Sequence, residues 1–191
     1  MTAKDLKNAL LQEAVQGKLV PQIASEGNAR DLLEEIKKEK AKLIKEGKIK
    51  KEKPLPEITD DEIPFDIPEN WCWCRFNEIA NFFNGDRGIN YPNKDEYVEK
   101  GIPWINTGHI TENNYLSEEK MNFISEKKFS SLNVSGNIQK GDLVYCLRGA
   151  TFGKVARVEP YEKGAIASSL MIIRLIDTSF REYILIYPKK V

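Results

Sequence analysis

The feature that most constrains the fold of this chain is a change of hydrophobic period near residue 70. Upstream of it, apolar residues recur three and four positions apart, which places them on one face of an α-helix. Downstream, short apolar runs are separated by turn signals such as Asn84-Gly85 and Gly141-Asp142, a pattern typical of short β-strands. The sequence therefore predicts an α+β chain, helical first and then mostly β, with a mixed or mostly antiparallel sheet.

The first 47 residues are predicted to form two helices with defined ends. Thr2 and Asp5 have the spacing of a capping box, and Asn28 offers a second N-cap. Gly17 and Gly47 are placed to end the two helices. The apolar stripe of the first helix comprises Leu6, Leu10 and Ala14, and the seam of the second comprises Ala29, Leu33, Ile36, Lys40 and Leu43. Stripes this narrow must pack either on their own domain or on a partner subunit, and both possibilities stay open.

Residues 48–69 are predicted to be an extended linker, because Pro54, Pro56, Pro64 and Pro68 remove backbone donors and fix φ. The predicted organisation is a helical segment over 1–47, a proline-rich linker over 48–69 and a separate domain over 70–191. At the start of this domain, Trp71–Phe76 alternates with period two, which predicts a strand with Cys72 and Cys74 as two core thiols on one face.

Net neutrality is weak evidence against a simple polyanion binder and does not exclude a basic face. The chain has 29 basic and 29 acidic residues, and the acidic excess lies in residues 54–101. Local fields rather than global charge govern binding to nucleic acid. Three cysteines, an N-terminus without an apolar core segment and no uncharged run near the roughly 20 residues of a membrane span predict a cytoplasmic protein.

Motifs for catalysis and metal binding were tested and fail. The segment Gly149–Val155 has three rather than four residues between its glycines and lacks the Ser or Thr of a phosphate-binding loop. Zinc sites usually need four Cys or His ligands, whereas His109 is the single histidine. Triplets such as Glu118-Glu119-Lys120 arise by chance in a chain with 30% charged residues, so they are weak evidence for a nuclease. We expect no catalytic residue and no metal site, with His109 as a surface or loop residue.

Polar and basic side chains on the predicted turns remain as candidates for DNA contact. Asn and Arg can contact base edges through two hydrogen bonds, while Lys and Thr favour phosphates. The candidates fall into three clusters: Arg87, Asn90 and Lys94; Asn106, Thr107, His109, Thr111, Asn113 and Asn114; and Arg148, Thr151 and Lys154. Surface loops are polar in any case, so composition alone does not decide between the two interpretations.

A resemblance favours DNA recognition. The helical stretch Leu6–Gln22 resembles the conserved region of specificity subunits of type I restriction-modification systems. Leu32–Lys37 and Ile63–Trp71 resemble the stretch that joins this region to a target-recognition domain. Recurrent motifs of that domain are similar to Ile102–Ile110, Gly141–Gly149 and Gly153–Ala156.

The resemblance implies a non-catalytic subunit of a bacterial defence system. Such a subunit recognises one half of a bipartite site in double-stranded DNA and directs methyltransferase and restriction subunits to it. It implies no cofactor on this chain, with S-adenosylmethionine, ATP and Mg²⁺ on the partner subunits. Family members carry two recognition domains and two helical regions, whereas this sequence has room for one of each. We therefore expect a natural half-subunit, a truncated product or an engineered fragment, which could pair as a homodimer through residues 1–47.

Two other functions stay open. The chain could be a helix-mediated assembly protein that does not recognise DNA, or a stand-alone DNA-modifying enzyme such as a nuclease or methylase. The interface candidates Leu6, Leu10, Ala14, Leu33, Ile36 and Leu43 would serve the first alternative equally well.

Overall fold

The computed structural model describes residues 2–85, 87–149 and 152–186. The chain is α+β, and these residues separate into two compact units. The helical unit comprises residues 2–80 with 182–186, and the strand-rich unit comprises residues 81–181. The three-part division drawn from the sequence stays a prediction.

The helical unit contains α1 (Ala3–Val15), α2 (Ala29–Lys45), α3 (Phe76–Ile79) and most of α5 (Arg181–Ile186). The predicted ends of the first two helices are confirmed. Thr2 and Asp5 form the capping box, and the Asn28 side chain accepts from the Arg30 N–H at 2.8 Å. Gly17 and Gly47 have φ of 69° and 71°, the left-handed conformation that ends a helix. No helix of the described residues has the length and apolar content to cross a membrane.

The strand predicted over Trp71–Phe76 is wrong. Residues 71–75 belong to no sheet, and α3 begins at Phe76. Their side chains are satisfied by separate neighbours: the Trp71 indole N–H donates to Gln22, and the Arg75 guanidinium pairs with Glu62. Alternation alone cannot form a strand, because the backbone also needs a neighbouring strand with which to pair.

Among the residues described, the strand-rich unit contains two four-stranded sheets, whereas the sequence predicted a single sheet. The first sheet has the order β1-β8-β5-β6, and the second has the order β2-β4-β3-β7. Their strands are β1 (Ala80–Asn84), β2 (Tyr97–Val98), β3 (Ile102–Ile105), β4 (Asn122–Ile124), β5 (Leu143–Cys146), β6 (Val155–Arg157), β7 (Ala165–Ile166) and β8 (Leu170–Leu175). The helix α4 (Glu126–Ser131) follows β4.

The long apolar run from Ala165 to Ile176 divides because it serves both sheets. Its first part, β7, pairs in parallel with β3, while its second part, β8, pairs antiparallel with β5. The turn at residues 167–169 lets the chain pass from one sheet to the other. Fully buried residues from both sheets, among them Ile105, Val144 and Ile166, form one apolar core.

Candidate nucleic-acid interface

Four chain segments of the strand-rich unit meet at one end of its two sheets, which we call the loop end. Ile105 pairs with Ile166 in the parallel β3–β7 ladder, so Asn106 and Ala167 leave the sheet side by side. The Ala167 N–H donates to the Ile105 carbonyl at 2.8 Å. The end of β1 lies there too, because the Gly85 N–H reaches the Leu170 carbonyl.

The hairpin that joins β5 to β6 completes the loop end. Leu147 N–H donates to the Ser169 carbonyl at 2.9 Å, and the Arg148 guanidinium donates to the Ser168 carbonyl at 2.7 Å. Gly149 and Gly153 have positive φ of 95° and 83°, which suits the tight turn between the strands. Arg148 is exposed, and its contact with Ser168 fixes the direction of its side chain. Thr151 lies outside the described residues.

The Asn106–His109 turn begins at the end of β3. The Asn106 side chain accepts from the Gly108 N–H, and Nδ1 of His109 accepts from the Asn106 N–H at 3.0 Å. Thr107 is half-buried in the same turn. His109 lies in this turn, so the loop alternative of the prediction holds, but at 3% exposure it is not a surface residue. Burial lowers the pKa of His109 below 6.5, and the ring is therefore neutral at pH 7.

A second turn, residues 111–115, lies against β6. The Thr111 hydroxyl donates to the Tyr115 carbonyl at 2.8 Å, which closes the turn. Asn114 has a φ of 66° and donates through its side-chain amide to the Val155 carbonyl at 2.9 Å. Asn113 is exposed. These contacts bring the second and third predicted clusters together.

The first cluster lies on other segments. Arg87, Asn90 and Lys94 are all exposed, and the Asn90 amide donates to the Ser131 carbonyl at the end of α4. Lys94 begins the short turn that precedes β2. The structure therefore brings the second and third clusters close together through the 111–115 turn and β6. The first cluster lies elsewhere, and Asn90 ties it to α4.

Four residues that the sequence interpretation missed lie on or beside these turns: Glu112, Phe152, Arg157 and Tyr115. The Lys154 ammonium forms an ion pair with Glu112, which is 82% exposed on its side chain. Phe152 is 67% exposed at the hairpin, and its ring packs edge-on against that of Tyr145 with the ring centroids 6.3 Å apart. The Arg157 guanidinium stacks over the Tyr115 ring at 4.9 Å. A lone aromatic between two turn glycines was the available signal for Phe152, whereas sequence offered none for the ion pair.

Within the described residues, no group of three His, Cys, Asp or Glu side chains is placed to hold a metal ion. Cys72 and Cys74 are half-buried rather than core thiols, and burial raises the pKa of Cys74 to about 11. This protonated thiol is a poor metal ligand and a poor nucleophile.

The predicted interface residues of the helical unit differ in exposure. Leu6 and Leu10 of α1 are 46% and 47% exposed. On α2, Ile36 is buried within its own unit, where Lys40 donates to the Asn77 carbonyl. Ala14, Leu33 and Leu43 are half-buried. The α2 seam therefore packs largely on its own unit, while Leu6 and Leu10 of the α1 stripe face solvent.

Comparison with known proteins relates the chain to the specificity subunits of type I restriction enzymes. It is 59% identical over 80 residues to the EcoAI specificity subunit of Escherichia coli, an alignment that covers 42% of this chain and 14% of that protein. It is 54% identical over 74 residues to the EcoEI specificity subunit of Escherichia coli, which covers 39% of this chain and 12% of that one. The aligned part is thus a small fraction of either relative. No protein-family model matches the chain.

Two solved structures are also similar. The HsdS subunit from Thermoanaerobacter tengcongensis aligns with a TM-score of 0.49 and 18% identity over 95% of this chain and 39% of that one. A chain from work on complex assembly and conformational transition of the type I R-M system aligns with a TM-score of 0.45 and 19% identity, covering 98% and 40%.

Proposed function

We propose that this chain is part of a type I restriction enzyme specificity subunit and recognises one half of a bipartite site in double-stranded DNA. The observation that carries the proposal is the 59% identity to the EcoAI specificity subunit over 80 residues. In this role the chain is non-catalytic and directs methyltransferase and restriction subunits to the DNA. S-adenosylmethionine, ATP and Mg²⁺ would be bound by those partner subunits in the bacterial cytoplasm.

The geometry of the loop end supports DNA recognition by this unit. Arg148 is exposed and aimed by its bond to Ser168, and a guanidinium can donate two hydrogen bonds to a guanine edge in the major groove. Lys154, 31% exposed on its side chain, follows in the same hairpin and can neutralise a phosphate. A hairpin is narrow enough to enter the major groove, about 12 Å wide.

The test is binding to duplex DNA by the full chain together with its cognate methyltransferase subunit. A target duplex is first identified by methylome sequencing of cells with and without the gene. We expect Arg148→Ala to weaken the free energy of binding to the target duplex by about 1–3 kcal/mol. The preference for one base pair of the target site should also be lost. Lys154→Ala should weaken binding to duplexes of every sequence by the same factor. The slope of log affinity against log salt concentration should fall by about one unit.

The outcome that contradicts the proposal is equal affinity of the wild-type complex for target and scrambled duplexes. If both variants have the same binding isotherms as the wild type at every salt concentration, the hairpin does not contact DNA. DNA cleavage or methylation by the chain alone, with Mg²⁺ or S-adenosylmethionine added, would show a stand-alone enzyme.

The exposed apolar stripe of α1 favours a second function, assembly through the helices. Leu6 and Leu10 present apolar surface that a partner subunit, or a second copy, would cover. We propose a homodimer through residues 1–47, which would place two recognition domains on an inverted repeat. Light scattering at micromolar concentration tests this proposal. Leu10→Asp should lower the mass to that of a monomer, and a wild-type mass already that of a monomer would contradict it. An assembly protein without DNA recognition would form the dimer yet bind target and scrambled duplexes equally.

A further inference from the structure

An acidic side chain lies beside the cation that the proposed function assigns to a phosphate. Glu112 is in the 111–115 turn, and its carboxylate pairs with the Lys154 ammonium although 42 residues separate them along the chain. The Lys154 side chain is 31% exposed and that of Glu112 is 82% exposed. In the unbound protein, therefore, a carboxylate lies beside the positive charge of Lys154.

The backbone that carries Glu112 is held in place on both sides. Thr111 N–H donates to the Tyr115 carbonyl at 2.9 Å, and Thr111 Oγ1 accepts from the Tyr115 N–H at 3.3 Å. The turn is fastened to β6, since the Arg157 N–H donates to the Asn114 carbonyl at 2.9 Å. Because the turn is closed and anchored, the backbone of Glu112 is held where its side chain reaches Lys154.

We propose that Glu112 limits the strength with which Lys154 holds a DNA phosphate and so weakens the sequence-independent part of DNA binding. The inference rests on the proposed function. Non-specific binding comes almost entirely from cations that replace counterions on phosphates. A phosphate that approaches Lys154 must displace the Glu112 carboxylate and tolerate its negative charge nearby. Because a phosphate contact carries no sequence information, this repulsion should lower the affinity for target and scrambled duplexes by the same factor.

The experiment compares Glu112→Gln with Glu99→Gln in the full chain bound to its methyltransferase subunit. Both changes remove one negative charge and leave a side chain of the same size. Glu99 is exposed in the turn just before β3, at the end of that strand opposite the loop end. Affinities for the target duplex and for a scrambled duplex of equal length are measured by fluorescence anisotropy over a salt series.

We expect Glu112→Gln to tighten binding to the scrambled duplex by about 3–10-fold near 0.1 M salt, as one additional released counterion would do. The salt dependence of that binding should steepen by about one unit. Affinity for the target should rise by the same factor, so the ratio of the two affinities stays the same. Glu99→Gln should leave both affinities and both salt dependences nearly unchanged.

Equal effects of the two variants would overturn the proposal, because only net charge would then matter. Unchanged affinities and salt dependences in Glu112→Gln would overturn it as well. If the wild-type complex does not distinguish the two duplexes, the proposed function fails and this inference fails with it. Discrimination by the wild type without an effect of Glu112→Gln refutes the inference alone.

Discussion

Asp142 anchors the segment that leads into β5, and its removal is the most informative test of the strand-rich unit. The carboxylate is 1% exposed and accepts two hydrogen bonds from Arg174, at 2.8 and 2.7 Å, and one from the Gln139 N–H at 2.7 Å. The Arg174 guanidinium also lies over the Phe83 ring at 4.8 Å. Without the carboxylate, the Arg174 guanidinium on β8 would remain beside Phe83 of the neighbouring β1 with no anionic partner.

The magnitude follows from these contacts. Removing one partner of a buried ion pair costs about 3–5 kcal/mol, because the remaining charge is uncompensated. The Arg174 side chain keeps 24% exposure, so water can partly solvate it, and the lower end of that range applies. We expect Asp142→Ala to reduce the free energy of unfolding by about 3 kcal/mol, which lowers Tm by about 6–12 °C in a chain of this size. Asp142→Asn, which keeps the volume and one acceptor, should cost about half as much.

The assay is urea denaturation followed by far-UV circular dichroism and by tryptophan fluorescence. The control is Asp95→Ala, the same substitution at an exposed carboxylate, which should stay within about 0.5 kcal/mol of the wild type. An Asp142→Ala variant as stable as that control would show that the ion pair contributes nothing and would refute the reasoning.

Three further predictions concern a helix end, a buried histidine and a thiol. Gly17→Ala should destabilise more than Gly47→Ala in urea denaturation: both positions have positive φ, but a Cβ at Gly17 would meet Pro68 at 2.9 Å, whereas one at Gly47 meets nothing within 4 Å. Equal losses would contradict this steric argument. Since the pKa of His109 is lowered by folding, the unfolded chain binds more protons below pH 6.5, and stability should fall as pH decreases from 6.5. The His109→Asn variant should lose less stability than the wild type between pH 7 and 5, as measured by the midpoints of urea denaturation. An equal loss in the two proteins would show that His109 does not cause the pH dependence. With a pKa of about 11 instead of 9.0, Cys74 should have about 100-fold less thiolate at pH 8 in the folded chain, which iodoacetamide labelling followed by mass spectrometry measures against a urea-unfolded control.

Local signals in the sequence predicted what depends on near neighbours. The capping box at Thr2 and the N-cap at Asn28 involve side chains and amides two or three residues apart, so spacing is sufficient to predict them. The glycine ends of α1 and α2 follow from the same local logic, because only glycine adopts positive φ at little cost. The α+β class was predictable because the hydrophobic period changes along the chain.

The tertiary structure alone decided which segments become strands and which side chains meet. Trp71–Phe76 has the alternation of a strand but no strand beside it, and Ala165–Ile176 divides because two sheets each take a part of it. His109 is buried by the turn that follows β3, although its sequence context is polar. The pairing of Glu112 with Lys154 arises only when the 111–115 turn folds onto β6. Local sequence fixes short-range hydrogen bonds, whereas burial and charge pairing depend on residues far apart in the chain, which only the packed structure brings together.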